Sequence, residues 1–235
     1  MYIQENCMYN KRVMSSTCQS SSSDIDFLIN MYGMSDNRKI YEKIYNFEGL
    51  LKTGIAFLDG RITESFNHLG KIDEETLVLV DDLKILHEKG ILTLDSQPRE
   101  STRGYVIEYG TDKGKKADIE QKEYVECIVH NSDVCKIIKC LENNKDFLYE
   151  FVNLKDGSTI SNWGKDSYVL SRDRLHNNDW ENHSFASRRD VKDYFHGLDD
   201  LPVFDDIVNS CSGLLIHVKY FNSLSQPIKH LKDFL

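Results

Sequence analysis

The chain has 235 residues with 38 acidic against 29 basic side chains, a net charge of −9, and 40% hydrophobic residues. That apolar content drives collapse and excludes a globally disordered chain, while the acidic balance repels phosphate backbones and anionic bilayers and so argues against nucleic acid and membranes as partners. The longest apolar runs, at 77–80 and 214–216, fall far short of the ~20 residues that cross a bilayer.

At the N-terminus, Gln4, Glu5 and Asn6 stand where a secretory signal needs a basic start and an apolar core, so the expected location is the cytoplasm. Residues 15–24 form a serine-rich polar run that cannot offset its ordering entropy by burial, and residues 1–24 are expected to be a disordered tail before one domain over 25–235. Ile40, Ile44, Phe47 and Leu51 recur at helical spacing after Asp36, a capping residue, and predict one helix from 36 with a core face. A second helix is predicted over 74–89: Asp73 caps it, Glu74 and Glu75 suit its positive first turn, His87 and Lys89 its last turn, and Gly90 ends it.

β-branched and aromatic runs at 91–95, 104–109 and 124–130 predict strands, with the polar segment 110–121 as the tip of a long hairpin. A helix over 132–143 follows, capped by Asn131 or Ser132, then strands at 147–154 and 168–171, helices at 187–195 and 204–209, a strand at 214–221, and a closing helix from Pro227. The order implies an α+β fold: a central, mostly antiparallel sheet of about five to six strands, with helices at both ends of the chain and on one face of the sheet. Six cysteines spread along the chain fit reduced thiols better than a disulfide framework.

The sequence carries no Gly-rich phosphate loop, dinucleotide fingerprint, His-Glu-x-x-His or Gly-x-Ser-x-Gly elbow, which removes the commonest ATPases, dehydrogenases, zincins and elbow hydrolases. Its most singular feature is Thr93-Leu94-Asp95-Ser96-Gln97-Pro98, an apolar strand that ends in polar side chains and a proline that stops pairing. Ser96 and Gln97 supply donors and acceptors without charge, Asp95 can act as a base or hold a cation, and Arg103 can hold a phosphate or carboxylate. With Tyr124 nearby, Asp95, Ser96, Gln97 and Arg103 are the candidate ligand-binding residues. The plain alternative is a turn whose side chains satisfy their own backbone.

Phe57-Leu58-Asp59-Gly60-Arg61-Ile62, Asp73-Glu74-Glu75-Thr76, Gly90-Ile91-Leu92-Thr93 leading into Ser96-Gln97-Pro98, and Gln121-Lys122-Glu123-Tyr124-Val125 together resemble an uncharacterised family of actinomycetes and giant DNA viruses of amoebae. That family's pattern has a strand into Ser-Gln-Pro and a later Gln-Arg-x-x-Val-x-Gly. Here Lys122 replaces the arginine and Cys127 the glycine, which puts a role for the later strand in doubt. The resemblance covers about a third of the chain and implies no activity or cofactor; a viral origin would place the protein in the host cytoplasm.

Cys127, His130, Cys135 and Cys140 have the spacing of a zinc knuckle with two ligand types exchanged. A knuckle needs a loop that wraps the ion, whereas these residues fall on a predicted strand and a predicted helix, where Cys135 and Cys140 point about 140° apart; buried free cysteines are the preferred reading. Asp81-Asp82, Asp199-Asp200 and Asp205-Asp206 read as helix-start and solvating pairs rather than Mg2+ ligands, and pairing Asp95 with Glu120-x-Lys122 as a nuclease site conflicts with the acidic charge. Trp163, Tyr168, Arg172, Arg174, Trp180, Arg188 and Arg189 could stack bases but read better as core and rim, and His176, His183 and His196 lack metal spacing. Two functions follow as expectations: a small-molecule or nucleotide-binding domain with hydrolase or transferase chemistry, or a non-catalytic viral structural or host-interaction protein that meets a protein partner.

Overall fold

The computed structural model describes residues 25–34, 36–66, 70–72, 76–106, 113–162, 171–173, 180–181, 200–220 and 225–234. Among the described residues three helices come first: α1 (Ile25–Tyr32), α2 (Asn37–Tyr41) and α3 (Phe47–Leu58). The single helix predicted from residue 36 is therefore two. Asn46 leaves the helix in an extended conformation (φ −148°, ψ 165°), and its Oδ1 accepts from the Gly49 N–H at 2.9 Å, restarting the helix as an N-cap. Asp206 adds a second cap, its Oδ2 accepting from the Phe47 N–H at 3.0 Å. The expected face survives the break, because Ile40, Ile44, Phe47 and Leu51 are all buried.

The next helix begins with a 3₁₀ turn, Thr76–Leu79, before α4 (Val80–Glu88), while the predicted cap Asp73 with Glu74 and Glu75 lies outside the described residues. Then come β1 (Ile91–Gln97), β2 (Glu100–Val106), β3 (Lys116–Gln121) and β4 (Tyr124–His130), α5 (Val134–Glu142), β5 (Phe147–Asn153) and β6 (Thr159–Ser161), β7 (Ser171–Asp173) and β8 (Trp180–Glu181), α6 (Pro202–Ser210), β9 (Cys211–Val218) and α7 (Pro227–Phe234). The helix predicted over 187–195 and the tail over 1–24 lie outside the described residues.

Two sheets result, one ordered β1-β4-β9-β5-β6 and one β2-β3-β7-β8, with antiparallel pairing throughout the ladders described. The fold is α+β, with helices at both ends of the chain. Gln97 pairs with Tyr124 and Glu100 with Gln121, so β1–β2 and β3–β4 form one long hairpin that passes from the first sheet to the second. Pro98 has no N–H to donate and interrupts the ladder at that bend. Half of the expected hairpin tip is strand β3, whose charged residues alternate with Ala117 and Ile119 and pair with β2.

Helices cover both faces of the five-stranded sheet rather than one. α1, α2, α3 and α6 pack with Leu92, Ile128, Val152 and Leu215 on one side. Residues of α4, α5 and α7 pack with Ile91, Val125, Tyr149 and Leu214 on the other. The two central strands are apolar on both faces and need a cover on each: β9 is buried along its whole length and β4 everywhere but His130. β1 is an edge strand, and α3, α4 and the segment between them close over that edge.

Candidate functional site

A cavity of about 120 Å³ lies at the β1 edge, walled by Gly54, Phe57 and Leu58 of α3, Ser65, Phe66 and Ile72 of the connecting segment, Leu83 and His87 of α4, and Thr93 to Ser96 of β1. The connecting segment reaches this place because α3 ends in a Gly60 turn with φ +69°, where the Arg61 N–H reaches back to the Ala56 carbonyl at 2.9 Å. Lys84 then ties α4 to that turn through Asp59 at 2.7 Å. The pair holds the Asp59 carboxyl below its usual range, the Lys84 hydrogen bond being the main cause.

The β1 wall carries a bulge. Thr93 opposes Cys127 and Asp95 opposes Glu126, so Leu94 is the extra residue and the strand bends at the cavity. Asp95 Oδ2 accepts from the Tyr124 hydroxyl at 2.7 Å, and Ser96 is buried beside it. Of the five candidate residues, the structure thus gathers three: Asp95 and Ser96 line the cavity, and Tyr124 holds Asp95 from behind. The Gln97 backbone continues the pairing opposite Tyr124, its side chain lying outside what is described. Arg103 sits exposed on β2 in the second sheet and is not among the cavity's lining residues.

Two residues here were missed in the sequence. His87, read as a last-turn complement to the helix dipole, is only 5% exposed and clamps the edge strand: its Nε2 accepts from the Thr93 N–H at 3.1 Å and lies 2.8 Å from the Thr93 hydroxyl. Burial pushes its imidazole down from 6.5 to about 4, so the ring is neutral at pH 7. Gly54 is what lets the ring in, since a Cβ at residue 54 would stand 2.6 Å from His87 Cε1 and 2.7 Å from Nδ1. Glu126 is the other omission, fully buried and directly opposite Asp95 on the same sheet face. Its signal was a single carboxylate inside the otherwise apolar run 124–129.

A second group of titratable side chains collects at the hairpin bend. Lys122 Nζ donates to the Lys219 carbonyl at 3.2 Å, and burial lowers its affinity for a proton. Burial pushes the neighbouring Glu123 carboxyl up to about 7 against the pull of Arg99. His217 opposes Tyr124 across β4 and β9; burial drives it down to about 4, and its Nδ1 lies 2.9 Å from the Val218 carbonyl.

The zinc-knuckle residues are dispersed. Cys127 is buried in β4 with its thiol directed at the Leu214 carbonyl, His130 is exposed at the strand end beside Ser132, and Cys140 is buried in α5. Cys135 is disulfide-bonded, against the expectation of reduced thiols throughout. Among the described residues no three His, Cys, Asp or Glu side chains group as metal ligands, and no helix is long and apolar enough to cross a membrane. The nuclease pairing set aside on charge finds its lysine, Lys122, donating to the Lys219 carbonyl. Asp206, instead of pairing with Asp205 around a cation, caps α3, and Asp82 pairs with Lys232 at 2.6 Å. Trp163, Tyr168, Arg174, Arg188 and Arg189, with His176, His183 and His196, lie outside the described residues.

All the cavity-forming segments fall within residues 37–187, the stretch matched by a family described as a domain of unknown function, DUF6919. The chain belongs to the DUF6919 family. As a DUF6919 protein it has an uncharacterised domain, and membership in an uncharacterised family is as expected. It is also 30% identical over 110 residues to methylenetetrahydrofolate reductase (NADH) 1 of Zea mays. That alignment covers 45% of this DUF6919 chain and 18% of the reductase, so the chain spans less than a fifth of the length of that curated relative.

Proposed function

We propose that this DUF6919 domain binds a small molecule, with the cavity at the β1 edge as its site and Asp95, Ser96 and Tyr124 as its polar side. The observation that carries this reading is the bulge at Thr93–Asp95. It places a carboxylate in the wall of a cavity of mixed polar and apolar lining, where the Tyr124 hydroxyl fixes it at 2.7 Å. A carboxylate in such a wall has a use if a ligand donor or cation meets it, and the apolar walls of Phe57, Phe66 and Leu83 shelter that contact from water. At about 120 Å³ the space takes one ring or a short chain, so a larger ligand would insert only its end. Asp95 as general base would give the site hydrolytic or transfer chemistry.

A thermal-shift screen of the full chain tests this. Folates and NADH come first, because the name of the maize relative contains them; nucleotides, amino acids, sugars and divalent metals with a chelator control follow. A ligand that raises the melting temperature of the wild type, and does so much less for Asp95→Asn, supports the reading by mass action on the folded state. No shift with any class, or an equal shift in wild type and Asp95→Asn, removes it.

A second reading, a non-catalytic interaction protein, has its own observation: Phe27, Met31 and Met34 are about half exposed (55%, 55% and 49%) on or just after α1. It predicts self-association or capture of one protein partner that Phe27→Ser with Met31→Ser abolishes, with every ligand silent.

A further inference from the structure

The described residues that wall the cavity carry formal charge at one place, and its sign is negative. Asp95 supplies that carboxylate; no lysine or arginine is among them, and His87 is kept neutral by burial with its Nε2 committed to Thr93. The Thr93 N–H, 3.1 Å from Nε2, can only donate, so Nε2 presents a lone pair there and the Thr93 hydroxyl at 2.8 Å donates to it as well. Thr93 Oγ1 is left with lone pairs alone to offer. Asp95 is half-buried, so its carboxylate can be reached, and the Tyr124 hydroxyl on Oδ2 at 2.7 Å takes one of its roughly four acceptor positions. Ser65 and Ser96, both buried in the wall, accept as readily as they donate. The polar part of this wall suits an occupant that donates hydrogen bonds and carries positive charge.

We propose that this cavity takes a primary ammonium group on a short apolar body, with the ammonium on Asp95 and the body against Phe57, Phe66 and Leu94. This rests on the cavity being the binding site. The three apolar residues belong to the same core cluster as Tyr124, on the face of the sheet where Asp95 meets its hydroxyl. At about 120 Å³ the space holds a short chain beside the charge. The other ligand classes fit less well. An anion finds no cationic partner among these residues, and burying it unpaired is costly. A divalent metal ion finds one carboxylate where Mg2+ and Ca2+ take about six or more oxygens. A quaternary ammonium has no N–H to give. An uncharged donor makes the hydrogen bond without the Coulomb attraction, which a wall poor in water strengthens. The net charge of −9 also favours the approach of a cation.

The experiment titrates the full chain with n-butylamine, 1-butanol, butyrate and magnesium chloride at neutral pH and constant ionic strength, following by NMR the methyl groups of Leu58, Leu83 and Leu94, which line the cavity. n-Butylamine is expected to move those methyls and to bind at least about ten-fold tighter than 1-butanol or butyrate, a preference worth about 1.4 kcal/mol. Asp95→Asn keeps the side-chain volume and an acceptor for Tyr124, and is expected to lose the preference while binding 1-butanol as the wild type does. Because the preference is read on the wild type, the inference stays testable if the variant fails to fold. Equal binding of 1-butanol, or tighter binding of butyrate, overturns it and leaves the cavity a binding site of different selectivity. Magnesium that shifts the same methyls and excludes the amine overturns it in favour of a metal ion. Amine binding that survives Asp95→Asn also overturns it, since attraction to the overall charge then suffices. If no probe moves the methyls the inference fails, and the reading of the site is decided separately by the Asp95→Asn comparison in the thermal-shift screen.

Discussion

Replacing Gly54 by alanine tests the packing on which the cavity depends. In an exposed helix interior this change stabilises a protein by up to about 1 kcal/mol, because alanine loses less backbone freedom on folding. Here the new methyl carbon would stand 2.6 Å from His87 Cε1 and 2.7 Å from Nδ1, where ordinary contact begins at 3.4 Å. The ring would have to retreat by roughly 0.8 Å, a shift that contact distances of this order demand in a packed interior. It has little freedom to do so: it is 5% exposed, and Nε2 is held by Thr93 at 3.1 Å and 2.8 Å. Overpacking of this kind costs about 1–3 kcal/mol. Gly54→Ala should therefore destabilise the protein by about 0–2 kcal/mol net, once a helix gain of about 1 kcal/mol is included. In a His87→Ala background the same substitution meets no ring and should be neutral or stabilising. The coupling between the two sites is then about 1–3 kcal/mol. Urea unfolding followed by far-UV circular dichroism measures all four proteins, with stability read from the midpoint at constant m-value. If Gly54→Ala stabilises the wild type, or if the two substitutions simply add, the close approach of α3 to His87 is refuted and with it the account of this wall of the cavity.

Tyr124→Phe removes the hydroxyl that donates to Asp95 Oδ2 at 2.7 Å and should lower stability by about 1–2 kcal/mol; the same loss in an Asp95→Ala background would show that the bond contributes nothing. His87 ionises near 4 when folded and near 6.5 when unfolded, so the unfolded chain takes up the proton first as pH falls. Its contribution is intact above pH 6.5 and is lost between about 6.5 and 4, with about 3 kcal/mol forfeited by the lower limit. Unfolding midpoints of wild type and His87→Ala across pH 4–7.5 check this: the difference between them should narrow toward acid, and a constant difference contradicts it. Asp206→Ala strips one of the two caps from α3 and should cost about 1 kcal/mol, with faster hydrogen exchange at the Phe47 amide, whereas unchanged exchange there would deny the cap.

How far these features could be seen in advance depended on their range along the chain. Strand Tyr124–His130 falls on the predicted bounds, and the closing helix starts at Pro227 as expected, because a run of β-branched and aromatic residues and a first-turn proline are properties of a few consecutive residues. The bend of the long hairpin was legible for a similar reason: Pro98 cannot donate, whatever surrounds it. The break between α2 and α3 was not, since Ile44 keeps helical spacing and is buried either way; only the capping preference of Asn46 marked it. Within the site, Asp95 and Ser96 stood out as polar residues at a strand end. His87 did not, because a histidine in a last helical turn has a sufficient local explanation in the dipole. Arg103 looked close to Asp95 along the chain, yet the hairpin crosses into the second sheet between them and carries it away.

The sequence by itself determined the α+β class, the strand at 124–130, the closing helix and the polar strand end at Asp95-Ser96-Gln97, all of which rest on side-chain periodicity and backbone preferences acting within about four residues. Only the tertiary structure decided that β9, from the end of the chain, enters the sheet between β4 and β5, and that helices must therefore cover both faces. It also decided that Gly54 and His87 meet at the wall of one cavity and that Glu126 is buried opposite Asp95. These are contacts between residues far apart in the chain, and their energy comes from burial and pairing that exist only once the chain has closed on itself.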